Sequence, residues 1–244
     1  MGGIQTIVMD TAHASKAVSP SIAQTPPSPS FNFSQNFDPP GDGRPDTSRG
    51  SGARTGSCTT TVAESTAELT SDPDTPASNH RRIRPVMPSG NFGLTWQDHP
   101  TVFINFDGIV APFVVLRFED QAGDYSERVT VSIDPEHSIQ GFSLPNDRPP
   151  LAIGKNYKWT LLVACDGQVN PNHPIFSGWV QRVATTETTT LIQQQSVPEQ
   201  ISWYTSQGYW YEAVVTLHQA LQTNPTDRAS KTLWTQLLEF VDQE

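Results

Sequence analysis

The chain has 244 residues and a formal net charge of −10 at pH 7, with 15 Lys and Arg against 25 Asp and Glu. That balance argues against a nucleic-acid-binding protein, because phosphate backbones attract basic surfaces. No stretch approaches the roughly 20 apolar residues of a membrane-spanning helix, and the 21 prolines and 16 glycines predict that part of the chain stays unfolded.

The N-terminal residues resemble the end of a secretory signal peptide. Ser21 and Ala23 are small residues at the spacing of a cleavage site, which would lie before Gln24. Residues 1–20 lack the apolar stretch of a complete signal. Two interpretations stay open: translation begins further upstream and most of the signal is missing, or the match is chance in a tail rich in Pro and Ser.

Residues 1–57 are predicted to be a leader remnant followed by a disordered linker. The segments TPPSPS and FDPPGDGRPDTSRGSGARTG show no apolar periodicity, so they offer no face that could pack into a core. Scattered arginines in this part could contact a polyanion, but a solvated spacer is the simpler interpretation.

Residues 58–185 are predicted to form an antiparallel β-sandwich of the immunoglobulin or fibronectin type III kind. From residue 94 to residue 183, short alternating runs are separated by turn residues at roughly ten-residue spacing, as in sandwiches and barrels. No helical period separates these runs, which argues against a parallel βαβ fold. The six predicted strands are TVFINF, FVVLRFE, ERVTVSI, SIQGFSL, NYKWTLLVACD and IFSGWVQRV. Alternation in the first three of these strands predicts three inward-facing side chains in each. They are Val102, Ile104 and Phe106 in the first, Val114, Leu116 and Phe118 in the second, and Val129, Val131 and Ile133 in the third.

Residues 186–244 are predicted to be helical. One helix begins near Pro198 and ends at Gly208, and a second ends before Pro225. A third lies in DRASKTLWTQLLEFV. The second and third helices carry apolar stripes, made of Trp210, Val214, Leu217 and Leu221 and of Leu233, Leu237 and Phe240.

The second helix and the turn before it resemble the second half of a tetratricopeptide repeat. Gly208, Ala213, Ala220, Leu221 and Pro225 fall where that repeat places its Gly, two Ala, Leu and Pro. Only one such unit is present, and a stack of repeats needs about three units to be stable. We therefore expect a small helical hairpin that packs on the sandwich, with an adaptor surface as the alternative.

The state of the two cysteines, Cys58 and Cys165, bears on the compartment. Cys165 ends a row of inward side chains in NYKWTLLVAC, whereas reactive thiols favour electropositive, partly open sites. In an exported chain two cysteines most simply pair with each other. Free buried thiols remain the alternative.

No metal site, cofactor or catalytic residue is predicted. The sequence has no cysteine or histidine spacing typical of zinc ligands. His99, His137 and His173 stand singly in loops, each next to or near a proline. They could converge in the fold, but lone loop histidines usually lie on the surface.

Several motifs in one order resemble a cyanobacterial family known as domain of unknown function 928. The motifs are TGSC, GLTWQDHPTVFINF, LAIGKNYKWTLLVACD, GWVQRV and GYWYEAVVTL, and the resemblance runs from about residue 56 to the end. Members typically begin with a signal peptide, so the resemblance implies a periplasmic or extracellular protein. The family has no assigned catalytic residues, so the resemblance implies no chemistry.

The leading hypothesis is a non-enzymatic, exported binding or scaffold protein with a protein or cell-envelope partner. A cytosolic tetratricopeptide-type adaptor is the alternative. An envelope hydrolase is more remote, because the sequence has no G-x-S-x-G elbow and no recognisable carboxylate pair. The densest aromatic cluster should mostly pack helices on the sheet, and the remainder could contact a partner: Trp203, Tyr204, Tyr209, Trp210 and Tyr211.

Overall fold

The computed structural model describes residues 82–243, together with Gly2, Gly3, Phe33, Phe37, Pro45 and Cys58. The chain separates into two compact units, Met1–Ser30 and Phe31–Glu244, and the account below concerns the second. The predicted cleavage site before Gln24 lies outside the described residues.

Within residues 82–243, strands come first and helices follow. The strands are β1 (Arg84–Pro85), β2 (Phe92–Thr95), β3 (Val102–Asn105), β4 (Phe113–Asp120), β5 (Ser126–Ser132), β6 (Ile139–Phe142), β7 (Asn156–Ala164) and β8 (Ile175–Arg182). The helices are α1 (Glu187–Ile192), α2 (Val197–Ser206), α3 (Trp210–Thr223) and α4 (Arg228–Asp242). The mainly β fold with a helical C-terminal region is therefore confirmed.

The strands form two sheets, one with the order β1-β3-β6 and one with the order β2-β8-β7-β4-β5. Their buried side chains belong to a single hydrophobic cluster that also includes side chains from the helices. Strands β2 and β8 are parallel to each other, with Phe92 opposite Trp179. The expectation of a wholly antiparallel fold is wrong at this pair, because a pairing between strands so distant in sequence leaves no local signal.

In the centre of the larger sheet, the side chains that the sequence alternation predicts to face inward are buried. Val114, Leu116 and Phe118 in β4 have no exposed surface. Strand β5 departs from the expectation, because Val129 and Val131 are only half-buried. It lies at the edge of its sheet, where fewer neighbouring side chains cover its inward face.

Two aromatic side chains from the N-terminal part of the chain belong to the core. Phe33 is buried and its ring stacks on that of Phe240, with ring centres 6.3 Å apart. Phe37 meets the ring of Trp210 edge-on at 5.1 Å. The backbone N–H of Phe37 donates to the carbonyl oxygen of Phe33 at 2.8 Å. The prediction of a disordered linker over residues 1–57 did not single out these two rings, and aromatic side chains can bury substantial apolar area. Most of the remaining residues in that range lie outside the described part of the chain.

Helices α2 and α3 end near the predicted signals Gly208 and Pro225, and α2 begins near Pro198 as predicted. Helix α1 was not among the three predicted helices. In α2, Pro198 is in the first turn, and the Glu199 carboxylate accepts hydrogen bonds from the N–H and hydroxyl of Ser196. Helix α4 begins after Asp227, whose carboxylate accepts from the backbone N–H of Ser230 at 2.9 Å. Among the described residues, no helix has both the length and the apolarity to cross a membrane.

Candidate functional site

The first residues of α3 join the helices to the two sheets. The indole N–H of Trp210 donates to the carbonyl oxygen of Val86 at 2.9 Å, next to β1. The hydroxyl of Tyr211 accepts from the indole N–H of Trp159 at 2.7 Å and donates to the carbonyl oxygen of Trp179 at 2.9 Å. Buried hydrogen bonds of this kind fix one arrangement, because breaking them leaves unpaired polar groups. The start of α3 is therefore a rigid base for a site.

The free edge of β2 is covered by the same helical region. The backbone N–H of Leu94 donates to the carbonyl oxygen of Gly208 at 2.9 Å. Two residues further on, the N–H of Trp96 donates to Oε1 of Glu212 at 3.0 Å. The hydroxyl of Thr95 donates to the same oxygen at 2.6 Å. Edge amides that would otherwise be open to another strand are thus paired within the chain.

The carboxyl group of Glu212 is buried with only one of its two oxygens hydrogen-bonded within the described residues. Its side chain is 4% exposed, and Oε2 has no hydrogen-bond partner among the residues that the structure describes. Burial raises the pKa of Glu212 to about 7, against the lowering effect of the bonds from Thr95 and Trp96. Near neutral pH the group can therefore donate or accept a hydrogen bond.

A cleft of about 620 Å³ lies beside this carboxyl group, in the size range of ligand sites. Its walls come from the loop between β2 and β3, from α2 and α3, and from the start of α4. The aromatic residues of the lining, Trp96, Tyr204 and Tyr211, are all buried, with Trp96 the most exposed at 8%. Glu212 and Asp227 are the acidic residues of the lining. Among the described residues, no Lys, Arg or His lines the cleft.

Sequence analysis did not single out Glu212. The available signal was its position, one residue after Tyr211 and one before Ala213 in a run that is otherwise apolar, YWYEAVV. An acidic residue on a buried helical face needs a partner. Only the fold shows that its partners are the backbone and side chain of a distant strand end.

The five aromatic residues of the predicted cluster separate into two groups. Tyr204, Trp210 and Tyr211 are at most 2% exposed, so they pack the helices against the sheets and have no surface for a partner. Trp203 and Tyr209 are half-buried, and their rings stack with centres 5.3 Å apart. A role in partner contact stays a prediction for these two residues alone.

Cys58 and Cys165 form a disulfide, which confirms the predicted pair. Their Cα atoms are 5.3 Å apart across a sequence separation of 107 residues. A bond of this kind indicates an oxidising compartment. Among the described residues, His, Cys, Asp and Glu form no group that could hold a metal ion. The three loop histidines lie near different carboxylates, in the pairs His99–Asp98, His137–Asp134 and His173–Asp166.

A family model described as Domain of Unknown Function (DUF928) matches residues 54–244. The chain belongs to this family. The matched range contains the disulfide, both sheets, the helices and the cleft, so the candidate site lies inside the DUF928 domain. A comparison with curated proteins found no match.

Proposed function

We propose that this DUF928 protein is a non-enzymatic binding or scaffold protein, exported to the periplasm or the cell exterior, and that the cleft beside Glu212 is its binding site. The supporting observation is the cleft of about 620 Å³ that Glu212 helps to line, together with the lack of a hydrogen-bond partner for its buried Oε2 among the described residues. Native proteins pair nearly all buried polar atoms, and exceptions occur where a ligand or an ordered water completes the bonding. A concave site of this volume is the usual form of a ligand pocket.

We also propose that the two sheets form an immunoglobulin-like sandwich. The strand orders support this, because β1-β3-β6 corresponds to strands A, B and E of that fold, and β8-β7-β4-β5 to G, F, C and C′. The disulfide differs from the B–F bond of antibody domains, since Cys165 follows the F-like strand β7 and Cys58 precedes β1. Such sandwiches have many roles, so the site carries the functional argument.

The proposed tetratricopeptide-like hairpin of α2 and α3 acts in this protein as a wall of the cleft. Trp210 and Leu217, two members of the apolar stripe of α3, have no exposed surface. The stripe is therefore already used within the chain and is not free to stack a second repeat. This favours a binding module over a cytosolic adaptor.

The disulfide supports the export part of the proposal, because cytosolic reductants keep thiols reduced. The resemblance to a cyanobacterial group with signal peptides supports the same conclusion, and with it a cyanobacterial origin. The partner in this proposal is a molecule of the cell envelope or another exported protein.

Thermal unfolding of the full chain with ligands of four classes tests the binding site: neutral oligosaccharides, peptides, polyamines and anionic metabolites. Gln219 and Gln222 are both exposed on α3, but only Gln219 lines the cleft. A bulky Gln219→Trp substitution should block the cleft, whereas Gln222→Trp should leave it open. We expect one class to raise the Tm of the wild type and of Gln222→Trp, but not of Gln219→Trp. Equal effects on both variants, or no stabilising class, would contradict the proposal.

A further inference from the structure

The charge of the cleft points to a neutral ligand. An anion would meet no basic side chain in the described lining. A cation would need an accessible ionised carboxylate, but Glu212 is buried and its raised pKa of about 7 leaves it only partly ionised near neutral pH. The other acidic residue, Asp227, already uses its carboxylate to accept the backbone N–H of Ser230. An anionic ligand is therefore disfavoured. The carboxylate of Asp227 stays ionised, because hydrogen bonds from Ser230 lower its pKa, but the N–H groups at the start of α4 already partner it, which leaves a neutral ligand as the better match.

The neutral polar groups of the cleft suit a ligand with many hydroxyl groups. Amides and hydroxyls both donate and accept hydrogen bonds, and so do the hydroxyl groups of a sugar. The side-chain amide of Gln200 is held in place, because Nε2 donates to the carbonyl oxygen of Gln195 and Oε1 accepts from Tyr204. Nine side chains of the described lining carry an amide or an aliphatic hydroxyl, among them Gln97, Thr101, Gln200, Thr216, Gln219 and Asn224.

An aromatic ring is fixed beside these polar groups. The indole of Trp96 lines the cleft, and its ring contacts those of Tyr204 and Tyr209 at centre distances of 5.4 and 5.0 Å. Contacts on two neighbouring rings restrain its orientation. Trp96 is 8% exposed, so a small part of its surface is open to the cleft. Sugar rings carry apolar C–H groups as well as hydroxyl groups, and an aromatic residue next to amides can contact both.

The edge of β2 argues against a peptide. An extended peptide is usually bound by adding a strand to an open sheet edge. Beside this cleft, the edge amides of Leu94 and Trp96 are already paired with Gly208 and Glu212. The backbone of a peptide would find no matching row of donors there.

We propose that the cleft binds an uncharged, hydroxyl-rich oligosaccharide through the side-chain amides and hydroxyl groups of its lining. This rests on the proposed binding function, because it names the ligand class of the same site. The side-chain amides of Gln97 and Gln219 contact the sugar hydroxyl groups from the loop after β2 and from α3.

The test uses the labelled full chain on an array of neutral, anionic and cationic oligosaccharides. Titration calorimetry then measures the strongest binder with wild type, Gln97→Ala, Gln219→Ala and the control Gln222→Ala. We expect the strongest signals from neutral oligosaccharides. Each cleft substitution should weaken binding about tenfold, the effect of losing one good hydrogen bond, and Gln222→Ala should leave the affinity unchanged.

The outcomes separate this inference from the function on which it rests. A peptide or polyamine that binds through Gln219, with no neutral oligosaccharide bound, would overturn the sugar proposal and leave the binding function standing. A neutral oligosaccharide whose affinity is the same in Gln219→Ala and Gln222→Ala would show that the sugar binds elsewhere. No bound ligand of any class would overturn both.

Discussion

The indole N–H of Trp159 donates a 2.7 Å hydrogen bond to the hydroxyl of Tyr211 and so joins the centre of the larger sheet to helix α3. Burial raises the pKa of Tyr211 above its usual range, which keeps the hydroxyl protonated and able to donate to Trp179. The indole fits because Gly178 has no side chain, and a Cβ there would lie 2.5 Å from the Trp159 ring.

Tyr211→Phe should lower the free energy of unfolding by about 2–3 kcal/mol. The substitution keeps the ring but leaves the indole N–H of Trp159 and the carbonyl oxygen of Trp179 unpaired in the core, and each orphaned group costs about 1–3 kcal/mol. Urea unfolding followed by tryptophan fluorescence measures the change. Tyr125→Phe is the matched control, because Tyr125 also donates to a backbone carbonyl oxygen, that of Pro149, but at the surface. Equal losses in both variants would contradict the prediction.

Glu212→Gln should remove a pH dependence of stability. Glu212 has a pKa of about 7 in the folded protein, against an ordinary value of 4.5, so the folded state binds a proton more tightly than the unfolded state. Stability from this group is therefore greatest at low pH and falls as pH rises from 4.5 to about 7. The free energy of unfolding of the Gln variant, minus that of wild type, should rise across this window by on the order of 3 kcal/mol.

Glu199→Gln is the control for the pH experiment. The hydroxyl and backbone N–H of Ser196 lower the pKa of Glu199 below 4.5. Its contribution is therefore complete above pH 4.5 and is lost only at lower pH. The difference from wild type should be flat across the window in which Glu212 titrates. A flat difference for Glu212→Gln as well would show that its carboxyl group is already ionised in the folded protein.

Phe33→Ala should destabilise the protein by about 3 kcal/mol, because it empties a site that Phe33 fills at 1% exposure. Chemical unfolding measures the loss. Leu191→Ala is the control, since Leu191 is 60% exposed and its truncation should change stability by less than about 0.5 kcal/mol. A result for Phe33→Ala as small as that of the control would support the original linker prediction.

Replacing Cys165 with Ser should lower the free energy of unfolding by up to about 4–5 kcal/mol. The disulfide closes a loop of 107 residues, and without it the unfolded chain gains conformational entropy. Alkylation of the denatured wild-type protein should find no free thiol. Cys58→Ser should have the same effect, and the double substitution should add nothing further, because each single change already breaks the bond. Two reactive thiols in wild-type protein made in an oxidising compartment would contradict the pairing.

A chain that ends at Val183 should aggregate or fold poorly. It lacks the partners of the Leu94 and Trp96 amides on the edge of β2, and open strand edges promote association between molecules. Size-exclusion chromatography and thermal melting measure the outcome, with a chain that ends at Asp242 as the control. A monomeric, cooperatively melting truncated chain would show that the helices are an independent unit.

The sequence by itself determined the elements whose signals are local. Alternation placed Val114, Leu116 and Phe118 on the buried face of β4, and helical periodicity placed Leu233 and Leu237 in the core. These predictions succeed because each side chain is buried by the regular geometry of its own strand or helix. The disulfide could also be predicted from the sequence, because an exported chain with two cysteines has only one possible intramolecular pairing.

Only the tertiary structure decided which distant parts meet. The parallel pairing of β2 with β8, the burial of Phe33 under α4 and the position of Glu212 at the end of β2 each join residues that are far apart along the chain. None of these contacts produces a periodic pattern in the sequence. Periodicity shows which face of a strand or helix is buried, but not which other element packs against that face. The cleft is therefore a property of how the helices cover a sheet edge, which is why no short motif predicted it.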